Sequence, residues 1–194
     1  MATQTLPYVT PEQYLEFERS SEFKNEYIFG EILCMAGGSP RHSLISCNAI
    51  RELGIRLSGG HCGVYGSDLR VALNPKLGYV YPDVTVVCGE LEYVDSHEDT
   101  ITNPKVAVEV LSPTTKNRDL GVKARLYFEA PSLSDLVFIE QSEIGIEHFH
   151  RTIDGEWIRT ALKKDDGVLN IESLNCQIPV ARLYLGVKLP AAGE

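Results

Sequence analysis

The chain has 194 residues, 43% of them hydrophobic, and a formal net charge of -9 at pH 7. That length suits a single domain spanning 1–194 with a sizeable buried core. The negative charge excludes a protein that coats nucleic acid through a broadly positive surface, so any contact with nucleic acid must be local. The N-terminal stretch MATQTLPYVTPEQYLEF lacks a charged start followed by an apolar run, and no segment approaches the ~18 apolar residues of a membrane span. The expectation is a cytoplasmic protein that does not associate with membranes. Cys34, Cys47, Cys62, Cys88 and Cys176 are widely spaced with no Cys-x-x-Cys pair, and they read as reduced, core-filling residues.

In chain order, Thr10-Pro11-Glu12-Gln13 announces a helix, with Thr10 as cap, Pro11 at the first helical position and Gln13 completing a capping box. This helix should end near Arg19. Two β segments, 26–29 and 31–35, flank Gly30 and predict a hairpin. From His42 to Leu57, Leu44, Ile45, Ala49, Leu53 and Leu57 recur at three- and four-residue steps, and Ser58-Gly59-Gly60 closes this second amphipathic helix.

Short β candidates follow at 62–65, 69–73, 83–88 and 106–111. A helix beginning at Lys116 or Asp119 runs to Glu129 and stops at Ala130-Pro131; a strand at 135–140 completes a strand–helix–strand crossover. The region 145–162 alternates apolar and polar residues around Asp154-Gly155, a hairpin signal, and 180–184 forms a last short helix. The expected fold is α/β: a mixed sheet with flanking helices, an N-terminal helix and hairpin, and a C-terminal hairpin.

The chemistry concentrates where this pattern is broken. Val106-Ala107-Val108-Glu109-Val110-Leu111 is an apolar run interrupted by one acid, and burying an ionised carboxylate costs several kcal/mol unless it is paired or binds a cation. An ion pair with a nearby Lys or Arg satisfies Glu109 as well as a metal does. Pro82 suits the start of a strand, which places Asp83 at its mouth, with Asp83, Thr85 and Val87 on one face. If the strands are neighbours, Asp83 and Glu109 converge. Two converging carboxylates repel unless a cation lies between them, and hard oxygen donors favour Mg²⁺ or Mn²⁺. Lys123 falls on the apolar stripe of the crossover helix, so it should face the sheet roughly level with Glu109. An ordinary lysine lying along apolar surface is the competing reading.

At these residues the chain resembles the Uma-two family of bacterial endonucleases, a branch of the PD-(D/E)XK restriction-endonuclease-like superfamily. The resemblance is carried by Glu26-Tyr27 with Gly30, Met35-Ala36-Gly37, His42, Tyr81-Pro82-Asp83-Val84, Asn103-Pro104, Val108-Glu109-Val110-Leu111-Ser112-Pro113-Thr114-Thr115, and Asp119, Gly121, Lys123 and Tyr127. It implies Asp83 and Glu109 as metal ligands, the Val110 carbonyl as a backbone ligand, and Mg²⁺-dependent hydrolysis of nucleic acid, DNA rather than RNA. Leu111 occupies the superfamily's usual lysine position, and by the resemblance Lys123 takes that role from the following helix. Glu26 resembles an additional N-terminal acid, and His42 is expected to line the cleft.

A catalytically inactive binding or assembly module of the same fold is the alternative. A serine hydrolase is disfavoured because no Gly-x-Ser-x-Gly elbow is present. Two-fold assembly is common enough among soluble proteins to make a homodimer the default oligomer. Three other signals read as structural. His148 and His150 share a strand face but lack a third ligand nearby and read as a solvated hairpin face. Asp68 and Arg70 read as a charged strand edge, and the acidic stretch 90–99 as a solvated loop.

Overall fold

The structure, a computed structural model, describes residues 8–113, 116 and 119–190. Thr114 and Thr115, and the point at which the crossover helix begins, lie outside the described residues. Helix α1 (Pro11–Ser20) starts on a complete capping box: the Thr10 hydroxyl accepts from the Gln13 N–H at 3.3 Å and Gln13 Oε1 accepts from the Thr10 N–H at 2.9 Å. Strands β1 (Asn25–Ile28) and β2 (Glu31–Cys34) form the first hairpin. Its turn holds Phe29 at φ 50° and Gly30 at φ 94°, the left-handed pair that a two-residue hairpin loop requires. Helix α2 (Pro40–Leu57) begins two residues before His42, because Ser39 caps it by accepting from the His42 N–H and Pro40 suits the first turn.

The chain then lays down β3 (Cys62–Gly66), β4 (Arg70–Asn74), β5 (Gly78–Val80), β6 (Val84–Cys88), β7 (Thr100–Ile101) and β8 (Val106–Leu111). A π-helical turn, Asp119–Lys123, runs into α3 (Ala124–Phe128), where the sequence pattern predicted plain α-helix. After β9 (Asp135–Glu140) come the hairpin β10 (Ile146–Arg151) and β11 (Trp157–Leu162), then β12 (Val168–Ile171), a 3-10 turn (Glu172–Leu174), β13 (Cys176–Pro179) and α4 (Val180–Leu183).

A six-stranded mixed sheet, ordered β11-β10-β9-β8-β6-β3, forms the central layer, with β8 and β9 parallel across the crossover. Residues of β8 alternate between its faces. Val106, Val108 and Val110 pack with Ile45, Ala49 and Leu53 of α2, and with β12–β13 and α4. Ala107 and Leu111 pack on the other side, against α3 and a second, five-stranded sheet ordered β2-β1-β5-β4-β7. Fully burying each large aliphatic side chain contributes about 1.5–3 kcal/mol, so these two apolar layers hold the central strands from both sides. Helix α1 covers the far side of the second sheet through Tyr14, Tyr27 and Tyr79, whose rings lie 5.2 to 6.0 Å apart.

Several expectations are corrected. The mixed α/β fold is the expected one, and beyond it a second sheet lies beside α3 on the flank opposite α2, while the β12–β13 hairpin carries no strong turn signal in the sequence. Cys62 and Cys88 are register partners across β3 and β6 and form a disulfide, a pairing that their separation of 26 residues does not reveal. Cys34 and Cys47 are exposed, and among the described residues Cys176 alone is a buried thiol. Arg70 is buried, donating to Thr100 Oγ1 at 2.7 Å and pairing with Asp99 at 2.9 Å. Arg19 also binds Asp95 and Asp99, so the acidic stretch is tied down at two carboxylates. Among the described residues no helix is long and apolar enough to cross a membrane.

Candidate active site

The site forms at the end of the central sheet where β6 enters and β8 leaves. Val84 pairs with Val108 in antiparallel register, so Asp83, one residue before β6, stands across from Glu109. By alternation both belong to the sheet face that carries Val87, Ala107 and Leu111. The Val110 N–H donates to Asp83 Oδ2 at 2.7 Å, which fixes the first carboxylate beside the second strand. His42, in the first turn of α2, places its Nε2 3.2 Å from the same oxygen. Gly38 permits this ring position: a Cβ there would lie 2.9 Å from His42 Nδ1.

Glu109 is held from the other side. Lys123 Nζ lies 2.7 Å from Glu109 Oε1 and 2.7 Å from Glu26 Oε1, and the Tyr127 hydroxyl donates to Glu109 Oε1. The π-helical turn delivers Lys123 to this position at the start of α3, one α-helical turn from Tyr127. Glu26 comes from β1 and also accepts the Tyr81 N–H. Lys123 is 3% exposed, Glu26 1% and Glu109 6%, so water screens this triad little. Burial, reinforced by a hydrogen bond to Glu18, pushes the Tyr81 phenol well above its ordinary pKa and keeps it protonated.

Glu26, His42, Asp83, Glu109, Val110 and Lys123 all line one cleft of about 430 Å³. The sequence reading assigned no roles to Ser39, Arg41, Tyr81, Tyr127 or Gln141, of which all but Tyr127 also line it. Ser39 Oγ donates to Gln141 Oε1, fastening the start of α2 to the end of β9. A Ser-Pro pair before a helix and a polar residue ending a buried parallel strand were the available signals. Lys116 pairs with Glu140 at 2.6 Å, and that hydrogen bond raises its pKa.

The donor chemistry suits a hard divalent ion. Asp83 and Glu109 present carboxylate oxygens to the same cleft, the hard donors that Mg²⁺ and Mn²⁺ prefer.

The profile of the family described as "putative restriction endonuclease" (Uma2) matches residues 11–181. The chain belongs to this family. It is 34% identical over 181 residues to the uncharacterized protein slr1290 of Synechocystis sp. (strain ATCC 27184 / PCC 6803 / Kazusa), covering 93% of this chain and 94% of that one. A second Synechocystis protein, sll1609, also uncharacterized, is 31% identical over 162 residues, 84% of this chain and 92% of its own. The fold is that of a solved structure from Anabaena variabilis ATCC 29413, described as a putative nuclease belonging to DUF820, at a TM-score of 0.76 and 14% identity. The match covers 91% of this chain and 97% of that one. Uma2 membership and this shared fold place the chain among restriction-endonuclease-like proteins.

Proposed function

We propose that this Uma2 protein is a divalent-metal-dependent endonuclease that hydrolyses phosphodiester bonds in DNA. The observation that carries the reading is the convergence of Glu26, His42, Asp83, Glu109 and Lys123, from separate segments of the chain, on one cleft. Asp83, Glu109 and the Val110 carbonyl would hold Mg²⁺ or Mn²⁺. Such an ion supplies Lewis-acid polarisation of the phosphodiester and activation of water at neutral pH. The Val110 N–H and His42 fix the Asp83 carboxylate, so it does not have to reorganise during the reaction. Lys123 fixes Glu109 and would add positive charge beside the metal site, which favours the negative charge that grows on the phosphoryl oxygens. Arg41, at the cleft wall, is placed for a phosphate of the bound strand.

The burial of Lys123 between two carboxylates also suits a structural ion pair in a catalytically inactive module that only binds nucleic acid. Incubation of supercoiled plasmid with wild-type protein and Mg²⁺ or Mn²⁺, beside Asp83→Asn and Glu109→Gln, separates the readings. The nuclease nicks plasmid, and loses the activity with chelator and in both variants. Nicking that persists equally in both variants, or wild-type protein that binds DNA but never cuts it, overturns the catalytic reading.

A further inference from the structure

Away from the cleft, the start of β9 carries a second polar cluster in an apolar setting. Asp135 is 0% exposed, and alternation puts it on the face occupied by Val137 and Ile139. A buried carboxylate costs several kcal/mol unless its oxygens are satisfied. His150 is its register partner on β10, and His148 sits two residues away on the same face. His148 Nε2 lies 2.7 Å from Asp135 Oδ1, and His150 Nδ1 lies 2.9 Å from the same oxygen. The other oxygen, Oδ2, accepts from the Ser173 hydroxyl, which arrives from the turn between β12 and β13. The face is therefore not the solvated hairpin face expected: a third potential donor, Asp135, comes from the neighbouring strand. Sequence could not show it because Asp135 precedes His148 by a whole strand and turn.

We infer that Asp135, His148 and His150 form a second metal site, selective for a transition ion such as Zn²⁺ or Co²⁺ and distinct from the cleft of Asp83 and Glu109. The donor set decides the class of ion. Two imidazole nitrogens and one carboxylate oxygen suit Zn²⁺, Co²⁺ or Ni²⁺, whereas Mg²⁺ prefers oxygen alone. The candidate ligand atoms all lie within 4.8 Å of one another. Tetrahedral coordination at zinc bond lengths separates ligand atoms by about 3.3 Å, so each ring nitrogen would retreat ~0.5 Å from Asp135 Oδ1 to admit the ion. Binding releases any ring protons that now face Asp135 Oδ1, and the ion takes their place between the same atoms.

Two further features fit a built site. Ser173 orients the carboxylate from outside, as outer ligand shells do, and Glu172 Oε2 lies 4.0 Å from His150 Nε2 on the far side of that ring. His148 and His150 also line a cavity of about 250 Å³ that runs between β10, β11 and β12 and includes Thr160 and Asn170. A three-ligand ion facing that space keeps a coordination position for water or a small anion. The ion would also clamp the β12–β13 turn to the central sheet through Ser173.

This inference does not depend on nuclease activity. Its test is a titration of the full chain with Co²⁺ in a Cys34→Ser/Cys47→Ser background, which removes the exposed thiols. Absorbance reads the nitrogen- and oxygen-bound cobalt, and Zn²⁺ serves as competitor. One saturable equivalent displaced by Zn²⁺ is expected, weakened at least tenfold in His150→Ala and in His148→Gln, and unchanged in Asp83→Asn. His150 is partly exposed, so its variant keeps the test open if His148→Gln misfolds. Absence of a saturable signal, a signal that survives in both histidine variants, or one lost in Asp83→Asn overturns the site.

Discussion

Replacing Lys123 by Met keeps most of its volume and removes the ammonium that lies 2.7 Å from both Glu26 and Glu109. At an effective dielectric of 20, each attraction is about 6 kcal/mol, most of which offsets the cost of taking the ions out of water. Breaking a buried pair by removing one partner costs about 3–5 kcal/mol, because the remaining charge stays buried. Here two carboxylates would face each other without this cation. For a chain of this size each kcal/mol shifts Tm by about 2–4 °C, so Lys123→Met should melt roughly 6–20 °C below wild type. Thermal denaturation followed by circular dichroism measures it. Adding Glu26→Gln removes one of the opposed charges, so the double variant should be less destabilised than the sum of the single changes. A Lys123→Met protein that melts within a degree or two of wild type, or strictly additive variants, would show that the triad does not carry the charges this account gives it.

Three other outcomes follow from packing and charge. Gly78→Ala places a Cβ 1.9 Å from Leu126 Cδ2, in a side chain that is 0% exposed, so overpacking should cost about 1–3 kcal/mol in urea denaturation. Reducing the Cys62–Cys88 disulfide, or replacing both residues by Ser, frees a loop of 26 residues in the unfolded chain and should cost up to about 3.5 kcal/mol by loop-closure entropy, read as a lower Tm under reducing conditions. Burial acts to raise the Glu52 pKa, but Arg56, Arg51 and Arg182 outweigh it and hold the folded-state value below the usual carboxylate range. Its stabilisation is therefore present above the unfolded-state pKa and lost as pH falls through the lower folded value. Glu52→Gln should be less stable than wild type at pH 7, and the gap should close on acidification.

Much of the fold was legible because local signals agreed with tertiary needs. The Thr10 capping box, the Asp154-Gly155 hairpin and the strands at 106–111 and 135–140 are set by periodicity and turn chemistry, and the structure follows them. The parts that were not legible depend on which strands become neighbours. The disulfide, the second sheet and the Asp135 cluster each join residues whose chain separation carries no pairing information. Convergence of the cleft residues was readable from one anomaly, a glutamate in an apolar strand, because a buried charge demands partners. The same logic applied to Asp135, but it sits at the edge of its run, where an acid reads as a strand start. The π-helical turn escaped because the four-residue step from Lys123 to Tyr127, which places Lys123 toward the sheet, runs along α3 and carries no trace of the turn before it.

Charge bookkeeping in the cleft bears on how so acidic a chain would approach a phosphate backbone. Asp95 and Asp99 are bound by Arg19 and Arg70, and Glu52 by three arginines, so these carboxylates project little field toward the cleft. The cleft keeps Glu26, Asp83 and Glu109 against Lys123, and these four groups sum to -2 when ionised. A phosphodiester entering that field is repelled, whereas a divalent cation brings the four groups to neutrality and leaves Arg41 to attract the strand. On the proposed reading, a dication would therefore serve binding as well as chemistry. DNA affinity should rise when Mg²⁺ is added to wild type but hardly at all to Asp83→Asn/Glu109→Gln, in which the repulsion is already reduced. Fluorescence anisotropy with a short labelled duplex reads the difference, and equal gains in both proteins would mean that the ion acts on the DNA and not in the cleft.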